Sequence, residues 1–209
     1  MEIVSLASLG LAYVIDMLIG DPPNRWHPVA AMGSVIRWAA AHAPASRYSR
    51  RFVYGIFLTL FGAATFALPV VWLVSLHFPI PWIAVLIRGL LIKAIFSLRG
   101  LFGSGNEVEQ TLRAGNLIEA RRLVGWHLVS RETDGLSSGQ VTSAAIESLA
   151  ENLGDSIMAP WLAFAIGGAP LAWAYRFVNT ADAMIGYHDP AHEYLGKFAA
   201  KLDDMLNLI

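Results

Sequence analysis

Residues Phe52 to Leu76 carry no charged side chain across 25 consecutive positions. A helix that crosses a bilayer needs about 20 apolar residues. Arg50 and Arg51 border the run on one side, and His77 and Pro79 on the other. The buried helix of a soluble domain is rarely so long, so this run reads as a transmembrane helix. The whole chain agrees. It is 56% hydrophobic and only 15% charged, where a soluble domain carries about 25% charged residues.

Three further apolar runs accompany it. Ile80 to Leu98 is interrupted only by Arg88 and Lys93, with Pro79 and Pro81 framing its start, and it reads as the return half of a helical hairpin. A cation inside a membrane helix is costly and faces a partner or a wet cavity. Ile3 to Ile19 is of marginal length and contains Asp16. It lacks the basic flank and cleavage site of a signal peptide, so it is expected to be retained. Ile157 to Tyr175 is uncharged but broken by Pro160, Gly167, Gly168 and Pro170, which suits a kinked or re-entrant segment. The expected fold is all-α. It is a polytopic integral membrane protein with about three to five membrane-embedded helices, in one domain over residues 1–209 with apolar segments near 3–19, 52–76, 80–98 and 157–175. Residues 20–51 hold five arginines against Asp21, a net +4, which places this loop in the cytoplasm. Two crossings later the segment 99–156 is cytoplasmic too. Val108, Leu112, Leu117, Ala120, Leu123 and Val124 recur there at roughly helical spacing, and one or two amphipathic helices are expected.

A net charge of −1 argues against nucleic acid, and the absence of cysteine excludes disulfides, thiolate metal sites and a cysteine nucleophile. No Walker motif, G-x-S-x-G, H-E-x-x-H or dinucleotide fingerprint occurs. The chemistry must therefore lie in three polar clusters. The first is Gly20-Asp21-Pro22-Pro23 followed by Trp26-His27-Pro28. Its prolines forbid a regular helix and make a rigid turn at a membrane exit, where Asp21 and His27 could bind a metal, a phosphate-bound metal or a proton. The second follows a cap at Ser137 or Ser138 and sets Glu147, Glu151 and Asp155 at i, i+4 and i+8. They share one helical face, with Ser148 and Asn152 beside it. Like charges at this spacing repel, so an arginine, Mg²⁺ or a substrate amine is expected to compensate. The third contains Tyr175, Arg176, Asn179, Thr180, Asp182 and Tyr187. Arg176, Asn179 and Thr180 can share a face, and Arg176 is a natural phosphate ligand. Asp203 and Asn207 lie four apart near the end. His188 and His192 share that spacing, but Pro190 separates them and weakens any metal reading.

These clusters, in this order, resemble the cobalamin-biosynthesis adenosylcobinamide-phosphate synthase family (CobD/CbiB), without the family's usual C-terminal third. The resemblance rests on DMLIGDPPNRWHPVAAMG from Asp16 to Gly33. It rests also on SRETDGLS, IESLAENLGDSIMAPW, GGAPLAWAYRFVNTADAMIGY and KLDDMLN between Ser130 and Asn207. It implies a multi-pass enzyme of the cell (inner) membrane with a cytoplasmic active face. Such an enzyme joins adenosylcobyric acid, a corrinoid, to (R)-1-aminopropan-2-ol or its O-phosphate with ATP and Mg²⁺. On the positions that match its motifs, Glu147, Glu151, Asp155 and Asp182 are expected to be catalytic groups, with Glu147, Glu151 and Asp155 serving Mg²⁺ or the incoming amine and Glu147 and Glu151 as the Mg²⁺ ligands. Asp21, His27, Arg131, Asn152, Arg176, Asn179, Tyr187, Asp203, Asp204 and Asn207 are carried over as substrate or phosphate ligands. The implied partners are the two substrates, the lipid bilayer and, as a homo-oligomer or complex, further membrane proteins of the pathway. The alternative is a shortened non-catalytic homologue, a membrane scaffold, partner subunit or permease, in which Asp16, Arg88 and Lys93 mark a path.

One conflict follows. Asp155 and Arg176 are 21 residues apart, about 30 Å along a straight helix. If both belong to one site, residues 157–175 must fold back.

Overall fold

The computed structural model describes residues 2–45, 48–129, 132–187 and 193–208, and among them every regular element is helical. Nine α-helices follow in order: α1 (Glu2–Leu18), α2 (Pro28–Ala41), α3 (Tyr48–Ser75), α4 (Pro81–Lys93), α5 (Leu98–Arg113), α6 (Leu117–His127), α7 (Ser138–Leu153), α8 (Ala159–Ile185) and α9 (Glu193–Leu206). A short 3₁₀ turn (Asn24–Trp26) precedes α2, and one π-helical turn (Gly154–Met158) joins α7 to α8.

The apolar composition is spent on two surfaces. The outward face of α3, with Phe57, Leu60, Phe61, Leu68 and Trp72, is exposed, and an apolar surface of this size on a long helix is a lipid surface. The inner faces form two cores. Ala12, Val70, Ile92, Phe96, Ile157, Phe164 and Tyr175 bring together α1, α3, α4 and α8. Met32, Ile36, Ala63, Phe177, Val178 and Leu195 do the same for α2, α3, α8 and α9. Tight approaches depend on missing side chains: a Cβ at Gly62 would meet the Phe177 ring, and one at Gly196 the Ile185 carbonyl. Three stretches, 48–75, 81–113 and 138–185, are long and apolar enough to cross a membrane, with a shorter apolar helix at Val4–Leu18. The protein is thus an all-α polytopic membrane protein, as the sequence led us to expect.

One local reading needs correction. The run from Ile80 to Leu98 is not one helix. α4 ends at Lys93, and Ser97 caps a new helix by accepting a hydrogen bond from Gly100 N. α4 packs chiefly along α1, its parallel neighbour, rather than along α3. Within 99–156 the amphipathic stretch forms two helices, α5 and α6, the larger of the expected numbers, and α7 is the acidic helix expected after Ser137. Gly115, at φ +74°, ends α5 with Asn116 N donating to Thr111 O and Gly115 N to Leu112 O, a Schellman turn that only glycine enters cheaply. Asn116 then caps α6 by accepting from Glu119 N. The apolar positions read as one periodic stretch therefore face each other across a turn, and with Val141, Ala144 and Ala145 of α7 they make a third core. Ser137 caps α7, reciprocally with Gln140.

Candidate functional site

The site is built by the reversal of α8. Gly168 has φ 70° and ψ −169°, a backbone region essentially reserved for glycine. Residues 159–167 run one way and 169–185 return. The Tyr175 hydroxyl lies 3.0 Å from the Asp155 carbonyl oxygen and 2.7 Å from Asn207 Oδ1. Twenty residues of straight helix would separate Asp155 and Tyr175 by about 30 Å. The fold-back required by the sequence conflict is present.

This reversal closes a cavity of about 820 Å³. One wall is the acidic face of α7, with Glu147, Glu151 and Asn152, continued by Asp155 through the π turn. The opposite wall is the returning arm of α8, with Arg176, Asn179, Thr180 and Asp182, ending at Tyr187. The end of α6 contributes Trp126 and His127. Ser148 donates to the Leu128 carbonyl and so ties α7 to α6, while Asn152 Nδ2 donates to Ser148 O at 2.9 Å. Arg176 Nη1 donates to Asn179 Oδ1 at 3.2 Å. Its Nε is buried with no hydrogen-bond partner among the described residues. The Asp182 carboxylate lies over Gly186, where any Cβ would collide with it. Acids thus face a guanidinium across a polar-lined cavity. Such a site suits a ligand with both phosphate and ammonium character.

Asp203, Asp204 and Asn207 are not on the cavity wall. Asp203 is buried behind it, accepting from Asn207 Nδ2 at 2.9 Å, whereas Asp204 is exposed. Burial raises the Asp203 carboxyl to about 7, with repulsion from Asp182, Asp155 and Asp204 adding to it and a hydrogen bond from Asn179 opposing. Asn207 holds Tyr175 in place.

Asp21 and His27 belong to a second cluster, also off the cavity wall. His27 Nδ1 accepts from Val29 N and caps α2, which leaves Nε2 facing Asp21 Oδ1 at 3.8 Å. Lys93 Nζ lies 2.5 Å from Asp21 Oδ1 and 2.9 Å from Asp16 Oδ1. Asp16, wholly buried, accepts from Arg99 N at 2.9 Å through its other oxygen. Burial disfavours the charged Asp21 carboxylate, but hydrogen bonds from His27, Lys93 and Ser97 outweigh it and hold the group well below the usual carboxylate range. The cluster is within electrostatic reach of Arg176.

Arg131, His188 and His192 lie outside the described residues. Among the described residues no three His, Asp or Glu side chains are grouped as a metal site. Glu147 and Glu151 supply two carboxylates on one wall, a number that suits Mg²⁺ only with phosphate oxygens and water completing the shell. The sequence reading passed over Trp126 and His127, which sit at the end of an amphipathic helix with nothing to separate them from surface. It named Tyr175 without a role, since its partners, Asp155 and Asn207, are 20 and 32 residues away.

Fold and cavity define a class: a polytopic helical membrane protein whose polar site lies at the foot of a helical hairpin. The chain belongs to the CobD/CbiB family, whose model, described as CobD/Cbib protein, matches residues 9–209. It is 45% identical over 199 residues to the probable cobalamin biosynthesis protein CobD of Methanothermobacter thermautotrophicus, covering 95% of this chain and 64% of that protein. It is 41% identical to the cobalamin biosynthesis protein CobD of Dehalococcoides mccartyi, over 95% of this chain and 64% of that one. The probable cobalamin biosynthesis protein CobD of Pyrococcus abyssi is 40% identical, over 98% and 67%. The chain thus spans about two thirds of the length of these relatives. No solved structure matches it significantly.

Proposed function

We propose that the protein is an ATP-dependent amide ligase of cobalamin biosynthesis, joining adenosylcobyric acid to (R)-1-aminopropan-2-ol or its O-phosphate. The supporting observation is that Glu147, Glu151, Asp155 and Asp182 share one cavity with Arg176. The names of the relatives supply the pathway. Amide formation from a free carboxylate is uphill in water, so the acid needs activation. Transfer of a phosphoryl group from ATP to the corrinoid carboxylate gives an acyl phosphate and ADP. The amine then attacks the acyl carbon, the C–N bond forms, the C–O bond to phosphate breaks and inorganic phosphate leaves. Of the two ammonium protons lost, one passes to a cavity carboxylate before attack and one departs with the phosphate.

In this reading Arg176 holds a phosphate, with Asn179 fixing its guanidinium. Asp155 or Asp182 receives the amine proton, and Asn152 and Tyr187 orient substrate. Glu147 and Glu151 would hold Mg²⁺, which would supply charge neutralisation for phosphoryl transfer. Asp203 and Asn207 act from behind the wall, the exposed Asp204 takes no direct part, and Asp21 and His27 act through the loop they fix. ATP and the +4 loop at residues 20–51 both favour a cytoplasmic active face in the cell (inner) membrane. A permease reading loses support, since Lys93 and Asp16 bind each other instead of marking a path.

The test is direct. Detergent-purified protein is incubated with adenosylcobyric acid, aminopropanol or its phosphate, ATP and Mg²⁺, and the amide is sought by mass. ATP-dependent product that disappears in Glu147→Gln supports the ligase. Folded protein giving no product overturns ligation by this chain alone and favours a scaffold or partner subunit.

A further inference from the structure

Arg88 and Lys93 stand five residues apart on α4, yet their surroundings differ. Lys93 has two carboxylates. Arg88 has no hydrogen bond or ion pair with any described residue. The sequence offers it no nearby acid, because no Asp or Glu occurs from Pro22 to Asn106. Arg88 lines a pocket of about 210 Å³ between the end of α3 and the first turns of α4, with Ser75, His77, Ala84 and Ile87 among its walls and no carboxylate. An unpaired, partly buried cation in an apolar helix is costly unless an anion from outside the chain meets it.

Position narrows the choice of anion. A helical side chain leans towards its own N-terminus, so the Arg88 guanidinium is carried towards the α3–α4 turn. Around that turn Trp72 and Trp82 are 65% and 75% exposed. Exposed tryptophans on apolar helices sit at the headgroup level of a bilayer. Leu76 and Ile80 are exposed beside them, an apolar rim that acyl chains would cover and a free inorganic ion would not.

We propose that this pocket is a phospholipid site in which Arg88, assisted by His77, holds the phosphate of an anionic headgroup. The site is separate from the polar cavity and shares none of its lining residues.

Native mass spectrometry of detergent-purified protein equilibrated with phosphatidylglycerol or phosphatidylcholine tests this. Wild type is expected to retain phosphatidylglycerol in preference, and Arg88→Gln to reduce that retention about fivefold, the effect of one cation at an anionic surface. Ala84→Phe, which fills the pocket and leaves the charge in place, is expected to do the same. Arg37→Gln, at an exposed arginine of α2, should leave retention unchanged. Wild-type retention in both Arg88→Gln and Ala84→Phe overturns the site. Displacement of the lipid by millimolar inorganic phosphate overturns the lipid assignment in favour of a free-phosphate site.

Discussion

Two charge clusters divide this molecule. In the first, Asp16, Asp21 and Lys93 lie against one another and against backbone donors, and Lys93 and Asp16 are almost wholly dry. In the second, Asp155, Asp182 and Asp203 gather around Arg176 with acids in excess, and the cluster opens on a cavity. The first satisfies its charges internally and fixes α1, α4 and the Gly20–His27 turn relative to each other. The second leaves a repulsion that a ligand can relieve. A closed cluster holds structure, whereas an open, unbalanced one has chemistry left to do.

The largest effect belongs to the closed cluster. Lys93→Met strands the buried Asp16 carboxylate in a dry site and removes a partner of the partly exposed Asp21, and is expected to cost about 3–5 kcal/mol, read as thermal unfolding in detergent. Adding Asp16→Asn should recover part of the loss. A cost below about 1 kcal/mol would break the comparison, since surface-like pairs contribute that little.

Next comes the reversal that assembles the open cluster. Gly168→Ala forces a side chain into a glycine-only backbone region, at about 1–3 kcal/mol. The proposed ligation should fall with it, because Asp155 and Arg176 would no longer share a cavity. Full activity in this variant would show that the hairpin does not build the site.

Asp203 gives a smaller effect with a definite sign. Its carboxyl is raised to about 7 in the folded protein from an ordinary 3.8. Between those values the folded chain holds a proton that the unfolded chain has released. Stability is therefore full below about pH 4, falls as pH rises, and has lost this contribution above about pH 7. Asp203→Asn should flatten that fall and be the more stable protein at pH 8, on the order of 1 kcal/mol. An unchanged pH profile would remove Asp203 from the unbalanced cluster.

Tyr175→Phe should be mildest, about 0.5–1.5 kcal/mol for the lost hydroxyl contacts. Its sharper readout is the proposed ligation, which should drop if the hydroxyl keeps Asp155 in register with α9.

Much of this architecture was legible because it is local. The acidic face of α7 follows from i, i+4 spacing alone, and the Ser137 cap from one residue before the helix. The charge-free run at 52–76 needed only a count. The α5–α6 break stayed open between one helix and two because Val108 to Val124 keep helical spacing through Gly115, and only its left-handed backbone shows the turn. The fold-back was inferred from the Gly167, Gly168 and Pro170 breaks together with a contradiction in distance, but neither showed that Gly168 is the residue that turns.

By itself, the sequence determined that this is a helical membrane protein with three polar clusters in a set order, and which face of α7 carries acid. Tertiary structure alone decided that Lys93 pairs with Asp16 and Asp21, 77 and 72 residues away. It also put Asp21 and His27 in a different cluster from Arg176, and left Arg88 unpaired among the described residues. The reason is physical. Helical periodicity fixes neighbours one turn apart, whereas the burial of a charge is settled by whichever distant segment packs over it.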